Sequence, residues 1–157
     1  MVRGMGKEEN MTKKALNGLK IVEYGHFISA PYCTKLMADL GAEVIKIENP
    51  LEGGDEARRH GPFPGDVPHP EKSGLFLWLN ANKKGITLDI TSEEGRQAFH
   101  KLLKDADVFV ANYPPLQAEA LGIDYETLST VNPQLIVTSI TPFGQTGPYR
   151  DYKAYEL

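Results

Sequence analysis

The sequence of 157 residues contains a single cysteine, Cys33. That excludes an internal disulfide framework and fits a reducing compartment, with the cytoplasm as the default. No apolar run approaches the length of a membrane span. The opening MVRGMGKEENMTKK carries charges with no apolar stretch behind them, so it does not read as a signal peptide. Positive charge is in deficit, with 17 Lys and Arg against 21 Asp and Glu. Bulk charge therefore gives no reason to expect a nucleic-acid partner. Internal repeats and low-complexity tracts are absent. So are a G-x-S-x-G elbow and a Ser-His-Asp pattern. His26, His60, His69 and His100 show no metal-ligand spacing.

What is present is ordinary for a globular domain: 41% apolar and 24% charged residues, enough for one domain with a real core. The polar residues 1–15 read as a disordered leader, and Met11 is an alternative start. Order is expected from Leu16. Leu19–Tyr24 (LKIVEY) reads as a buried strand. Pro31 suits the first turn of a helix with Ser29 or Ala30 near its cap, and Gly41 suits the position after its end. Cys33, Leu36, Met37 and Leu40 are expected to form the inner face of that helix. Glu43–Glu48 (EVIKIE) reads as a second strand, which makes a right-handed βαβ unit.

The stretch from Asn49 to Gly74, rich in proline and glycine, loses all periodicity. A loop of this length is usually functional or disordered. The run 75–80 is apolar again, and Ile86–Ile90 reads as a strand. Thr91 or Ser92 caps a helix that runs through Ala106. Asp107–Ala111 is a strand, Asn112-Tyr113-Pro114-Pro115 opens a short helix through Leu121 that Gly122 stops, Tyr125–Val131 is another short helical turn, and Gln134–Ile140 is the last strand. The alternation predicts an α/β, Rossmann-like domain with a mostly parallel sheet and helices on both faces. Ligands of such sheets bind beyond the carboxyl ends of the strands. Those ends are residues 24–29, 48–49, 111–113 and 141–147.

Candidate chemistry at these ends is sparse. Glu48 stands where a ribose-binding acid of a dinucleotide site would sit, but the turn YGHFISAP has one glycine and not the G-x-G-x-x-G fingerprint of an NAD(P) domain. The helix N-terminus near Pro31 suits an anion. His26 is the one histidine at a strand end, and Cys33 belongs to a helix face. Arg58 and Arg59 are either a solvated pair or an anion clamp on a mobile loop, and Lys83 and Lys84 either the same or a polar turn. Periodicity thus yields a fold and a ligand face without a reaction.

Seven segments in order carry more: LNGLKIVEY, APYCTKLMADLGAEVIKIENP, GGDEARRHGP, LNANKKGITLDITSEEGR, ADVFVANY, LGIDYETLSTVNPQLIVTSI and FGQTGPYRDYKAYEL. Together they resemble the N-terminal part of the family III CoA-transferases, which include formyl-CoA transferase, carnitine CoA-transferase and α-methylacyl-CoA racemase. The resemblance covers Leu16 to Leu157. It implies an acyl-CoA enzyme with coenzyme A as substrate and no permanently bound cofactor, a carboxylate acceptor as second partner, an interlocked homodimer, and covalent catalysis by an aspartate.

By the same resemblance that aspartate lies beyond Leu157, so the end reads as a truncation or a split gene, and residues 1–157 alone are expected to be inactive. The CoA contacts implied are Ile28, Ser29, Asn49, Leu88 to Thr91, Asn112, Tyr113, Lys153, Tyr155 and Glu156. The family often has Arg at Asn49, Lys at Thr91 and Arg at Ala120, so either Arg58, Lys83 or Lys153 supplies the missing positive charge or CoA affinity is poor. The racemase branch has His where Tyr155 stands, and tyrosine is a poor base at neutral pH. Transfer is favoured over racemisation. A non-catalytic CoA-binding or interaction module and an NAD(P)-binding domain are the alternatives.

Overall fold

The computed structural model describes residues 14–154. Five strands form one sheet: β1 (Lys20–Tyr24), β2 (Glu43–Glu48), β3 (Lys84–Thr87), β4 (Val108–Ala111) and β5 (Ile136–Ser139). Every pairing is parallel, in the order β3-β2-β1-β4-β5. The helices are α1 (Ser29–Asp39), α2 (Gly74–Leu79), α3 (Glu93–Lys104), α4 (Pro115–Leu121) and α5 (Tyr125–Val131). This is the α/β class that the alternation predicts, with the sheet wholly parallel. The order reverses beside β1, between β2 on one side and β4 on the other, so the carboxyl ends of β1 and β4 mark the topological switch point, where the ligand crevice of such folds lies.

The period of two along the strands sorts side chains between two cores. Val22, Tyr24, Ile47, Phe109 and Ala111 face one way and pack with Phe99, Leu103 and Leu128. Ile21, Val44, Val108 and Val110 face the other and pack with Ala30, Ala38 and Ala42. The second face is lined by small residues, so α1 lies close on the sheet. Its buried positions are Ala30, Pro31, Thr34 and Ala38. This corrects the expected inner face. Leu36 and Leu40 are 46% and 51% exposed, because the Thr34 hydroxyl bonds Glu23 Oε2 at 2.6 Å and fixes the helix's rotation.

Three further expectations shift. The third strand begins at Lys84 and ends at Thr87, in register with Ile45 to Glu48. Glu48 ends β2, so after one more bond from Leu88 N–H to Glu48 O (3.0 Å) there is nothing left to pair with. The apolar run at 75–79 is the short helix α2, capped by Ser73 Oγ, which accepts from Phe76 N–H at 3.1 Å. Ser92, not Thr91, caps α3, through Gly95 N–H at 3.1 Å.

The segment 49–74 is ordered by its own caps. Asn49 Oδ1 accepts from Leu51 N–H (3.0 Å) and Asp55 Oδ1 from Ala57 N–H (2.8 Å), each starting a 3₁₀ turn. Ala57 and Ser73 are fully buried beneath it. No described helix is long and apolar enough to cross a membrane.

Candidate functional site

The crevice between β1 and β4 is built from two chain segments. After β1 the chain runs through Gly25, His26 and Phe27 into α1. Phe27 has φ 62°, an uncommon conformation for a residue with a side chain. After β4 come Asn112 and Tyr113. The Asn112 amide ties the two together. Its Oδ1 accepts from His26 N–H at 2.9 Å, and its Nδ2 donates to His26 O at 2.8 Å and to Ser29 Oγ at 3.0 Å. Tyr113 stacks on Tyr24 with ring centres 5.2 Å apart, and the His26 ring meets its edge at 5.3 Å. Burial pushes both tyrosine hydroxyls above their ordinary pKa, so neither is a base here.

Beneath this turn lies a group of charges. Glu23, Lys46 and Asp55 are buried, and the Lys83 side chain is 1% exposed. Lys46 Nζ lies 2.8 Å from Glu23 Oε1 and 2.7 Å from Asp55 Oδ2. Lys83 Nζ lies 2.8 Å from Glu23 Oε2. Two positive and two negative groups thus cancel inside the protein, which is what makes their burial tolerable. Burial works to lower the pKa of Lys46, but Glu23 and Asp55 outweigh it and the net shift is upward. For Lys83 burial wins over Glu23, and its pKa falls to about 8.

The expected binding residues fall in two groups. Ile28, Ser29, Asn112 and Tyr113 stand around the crevice, and Asn49 and Leu88 to Thr91 follow the neighbouring strands β2 and β3. Ile28 and Ser29 are exposed on the turn, and Lys153 is exposed near the end of the described chain. Thr91 is turned to Asp89, whose Oδ1 accepts from its N–H at 2.9 Å and its hydroxyl at 2.6 Å. Tyr155 and Glu156 lie outside the described residues.

The second group is committed elsewhere. Asn49 spends its amide on Leu51 N–H and on Glu52 Oε1 at 3.1 Å. Arg58 is not a clamp on a mobile loop. It grips both oxygens of Glu48 at 2.7 Å, reaches Glu71 at 3.0 Å and lies 3.6 Å over the Phe76 ring. The same contacts occupy Glu48, the acid that a dinucleotide reading would give to ribose. Lys83 is no surface anion site either, since its ammonium is inside the protein.

Sequence reasoning missed the buried charges, although a signal was there. Glu23 and Lys46 sit inside apolar strands, at positions that alternation assigns to the α1 face, and a parallel sheet is covered on both faces. A charge at such a position has to be buried and paired.

The fold defines a doubly wound α/β domain with a wholly parallel sheet. The model of the family described as CoA-transferase family III matches residues 16–157, and the chain belongs to that family. It is 38% identical over 146 residues to a succinate–glutarate CoA-transferase of Agrobacterium fabrum, covering 92% of this chain and 36% of that protein. A formyl-CoA:oxalate CoA-transferase of Afipia carboxidovorans is 43% identical over 143 residues, covering 91% and 32%. The crystal structure of a CAIB/BAIF family protein from Brucella suis superposes with a TM-score of 0.80 at 38% identity, covering 91% of this chain and 37% of that one. The chain therefore spans about a third of the length of these relatives.

Proposed function

We propose that this chain is the CoA-binding part of an acyl-CoA:carboxylate CoA-transferase. The observation that carries the reading is the Asn112 bridge. It joins Ser29 to the end of β4, so residues that the family resemblance implies as CoA contacts share one crevice at the switch point of the sheet. Ile28 and Ser29 are the exposed members of this group, with Asn112 half-buried between them and the Tyr113 ring buried against Tyr24. In the complete protein an aspartate beyond Leu157 attacks the thioester carbonyl. The carbon–sulfur bond breaks, giving a mixed anhydride and CoA thiolate. The thiolate then attacks the aspartyl carbonyl and releases the first carboxylate. The acceptor carboxylate repeats the sequence in reverse.

Incubating the complete protein with an acyl-CoA and measuring its intact mass tests this. A covalent aspartyl-CoA adduct is expected, and its absence under turnover sinks the mechanism. Residues 1–157 alone are expected to show no transfer, and measurable transfer would overturn the placement of the nucleophile. The complete protein is expected to be an interlocked homodimer, seen as a dimer by light scattering that does not exchange subunits.

One observation favours a second reading. Arg58 and Lys83 are both held by carboxylates, so neither replaces the cations missing at Asn49, Thr91 and Ala120. A divergent module that does not catalyse would look like this. Calorimetry on the complete protein separates the two: no heat with millimolar CoA favours the module.

A further inference from the structure

The buried charges reach the ligand-facing turn at three points. Lys46 Nζ donates to Gly25 O at 2.9 Å, Asp55 Oδ1 accepts from Phe27 N–H at 2.9 Å, and Lys83 Nζ donates to Pro31 O at 2.8 Å. Each ammonium has three partners: Glu23, Asp55 and Gly25 O for Lys46, and Glu23, Pro31 O and Asn80 Oδ1 for Lys83. The residues they hold, 25 to 31, include the strained Phe27 and the exposed Ile28 and Ser29.

We propose that Glu23, Lys46, Asp55 and Lys83 form a charge-operated mount for the β1–α1 turn, in which Lys83 is a positioning residue whose proton sets how firmly the turn is held against CoA. The proposal rests on the CoA reading for its ligand and on the geometry alone for the mount.

Lys83 is the weak member. It touches one carboxylate, whereas Lys46 touches two. It faces Glu23 from β1, Lys46 from β2, Asp55 from the following loop, Asn80 from the end of α2, and from α1 the Pro31 carbonyl and Cys33. Burial and Glu23 push the Cys33 thiol up, so it stays protonated where Lys83 titrates. Burial brings Lys83 to about 8. Once it is neutral, Glu23 is left with one cation, Lys46, which Asp55 also needs. Lys46 is drawn toward Glu23, and the Asp55 grip on Phe27 N–H and the Lys83 grip on Pro31 O both slacken.

Fold and binding then respond to pH with opposite signs. Shedding a buried charge favours the folded state, whereas the loosened turn binds less well. A purely structural lysine would move both together.

The test uses the intact chain and acetyl-CoA, which has no free thiol to titrate. Between about pH 7 and about pH 9.5 the affinity, read by calorimetry, is expected to fall about tenfold. Lys83→Arg, which stays charged, should flatten the profile at the tight end, and Lys83→Met at the weak end. In the ligand-free chain, the hydrogen-exchange protection of the Phe27 amide should fall over the same range in the wild type and stay level in Lys83→Arg. The wild-type measurements require no variant to fold. Phe27 protection that does not change across the range overturns the mount, whatever CoA does. Protection that follows Lys83 while acetyl-CoA binds at neither pH leaves the mount standing and removes the CoA reading.

Discussion

Arg58 and Glu48 meet through two hydrogen bonds of 2.7 Å each, Nε to Oε2 and Nη2 to Oε1. A planar guanidinium matches a carboxylate in this way and an ammonium does not. The pair ties the end of β2 to the loop that follows. Arg58→Lys is therefore expected to destabilise the chain by about 1–3 kcal/mol, read as a shift in the urea midpoint. Burial works against the charged Glu48, but the hydrogen bonds from Arg58 and from Asp55 N–H, together with the charges of Arg58 and Lys46, outweigh it and leave its pKa below the usual 4.5. The pair's contribution is thus complete above that value and is lost as pH falls through the depressed one. Arg58→Met should weaken this acid-side dependence.

Lys83 predicts a trend of the same sign at the alkaline end. Its pKa drops on folding from 10.5 to about 8. Between these values the unfolded chain binds more protons than the folded one, so stability should rise with pH. Lys83→Met should abolish that rise in denaturation curves taken at several pH values.

Gly95 sits in the first turn of α3, where alanine normally stabilises. A Cβ there would stand 1.8 Å from Asp89 O. Gly95→Ala is expected to cost about 1–3 kcal/mol, against the gain of about 1 kcal/mol that helix propensity alone would give. Thermal melts of the two proteins decide it.

Asn112→Ala removes three hydrogen bonds across the crevice. A loss of about 2 kcal/mol in stability is expected, together with weaker CoA binding by calorimetry. Asn112→Asp should also be damaging, because it turns an acceptor toward His26 O, while the Ser29 hydroxyl can rotate to donate to it.

Helix α1 makes a paired prediction. Leu36 is exposed, so Leu36→Ser should change stability by less than about 0.5 kcal/mol. Thr34→Val keeps the shape but takes a donor from buried Glu23, and should cost about 1–2 kcal/mol. A larger effect at Leu36 than at Thr34 would contradict the observed helix face.

Much of the fold was legible because strands and caps are local. LKIVEY, EVIKIE and the turn residues Pro31, Gly41, Ser92 and Gly122 announce β1, β2 and the helices within a few residues. The face of α1 was not legible. Hydrophobicity selects the largest apolar residues, whereas close packing on the sheet uses Ala30, Thr34 and Ala38. Strand β3 starts two residues and ends three residues earlier than its apolar pattern suggests, because its ends depend on where Glu48 stops pairing, a distant fact. Around the site, Asn112 and the turn after β1 were legible as strand ends. The commitments of Arg58 and Lys83 were not, since their carboxylate partners are remote in sequence. Thr91 and Ser92 look equally suited to a cap, and only the coordinates separate them.

The four interior charges also constrain descent. Glu23, Lys46, Asp55 and Lys83 balance as a set, and although Lys83 can shed its charge, replacing Glu23, Lys46 or Asp55 alone leaves a bare charge inside the protein. A lineage can exchange the set for apolar residues only through intermediates less stable than either end. Glu23, Lys46 and Asp55 should therefore behave as a single heritable character, and substitutions at one of these three positions should be tolerated only on backgrounds already altered at another.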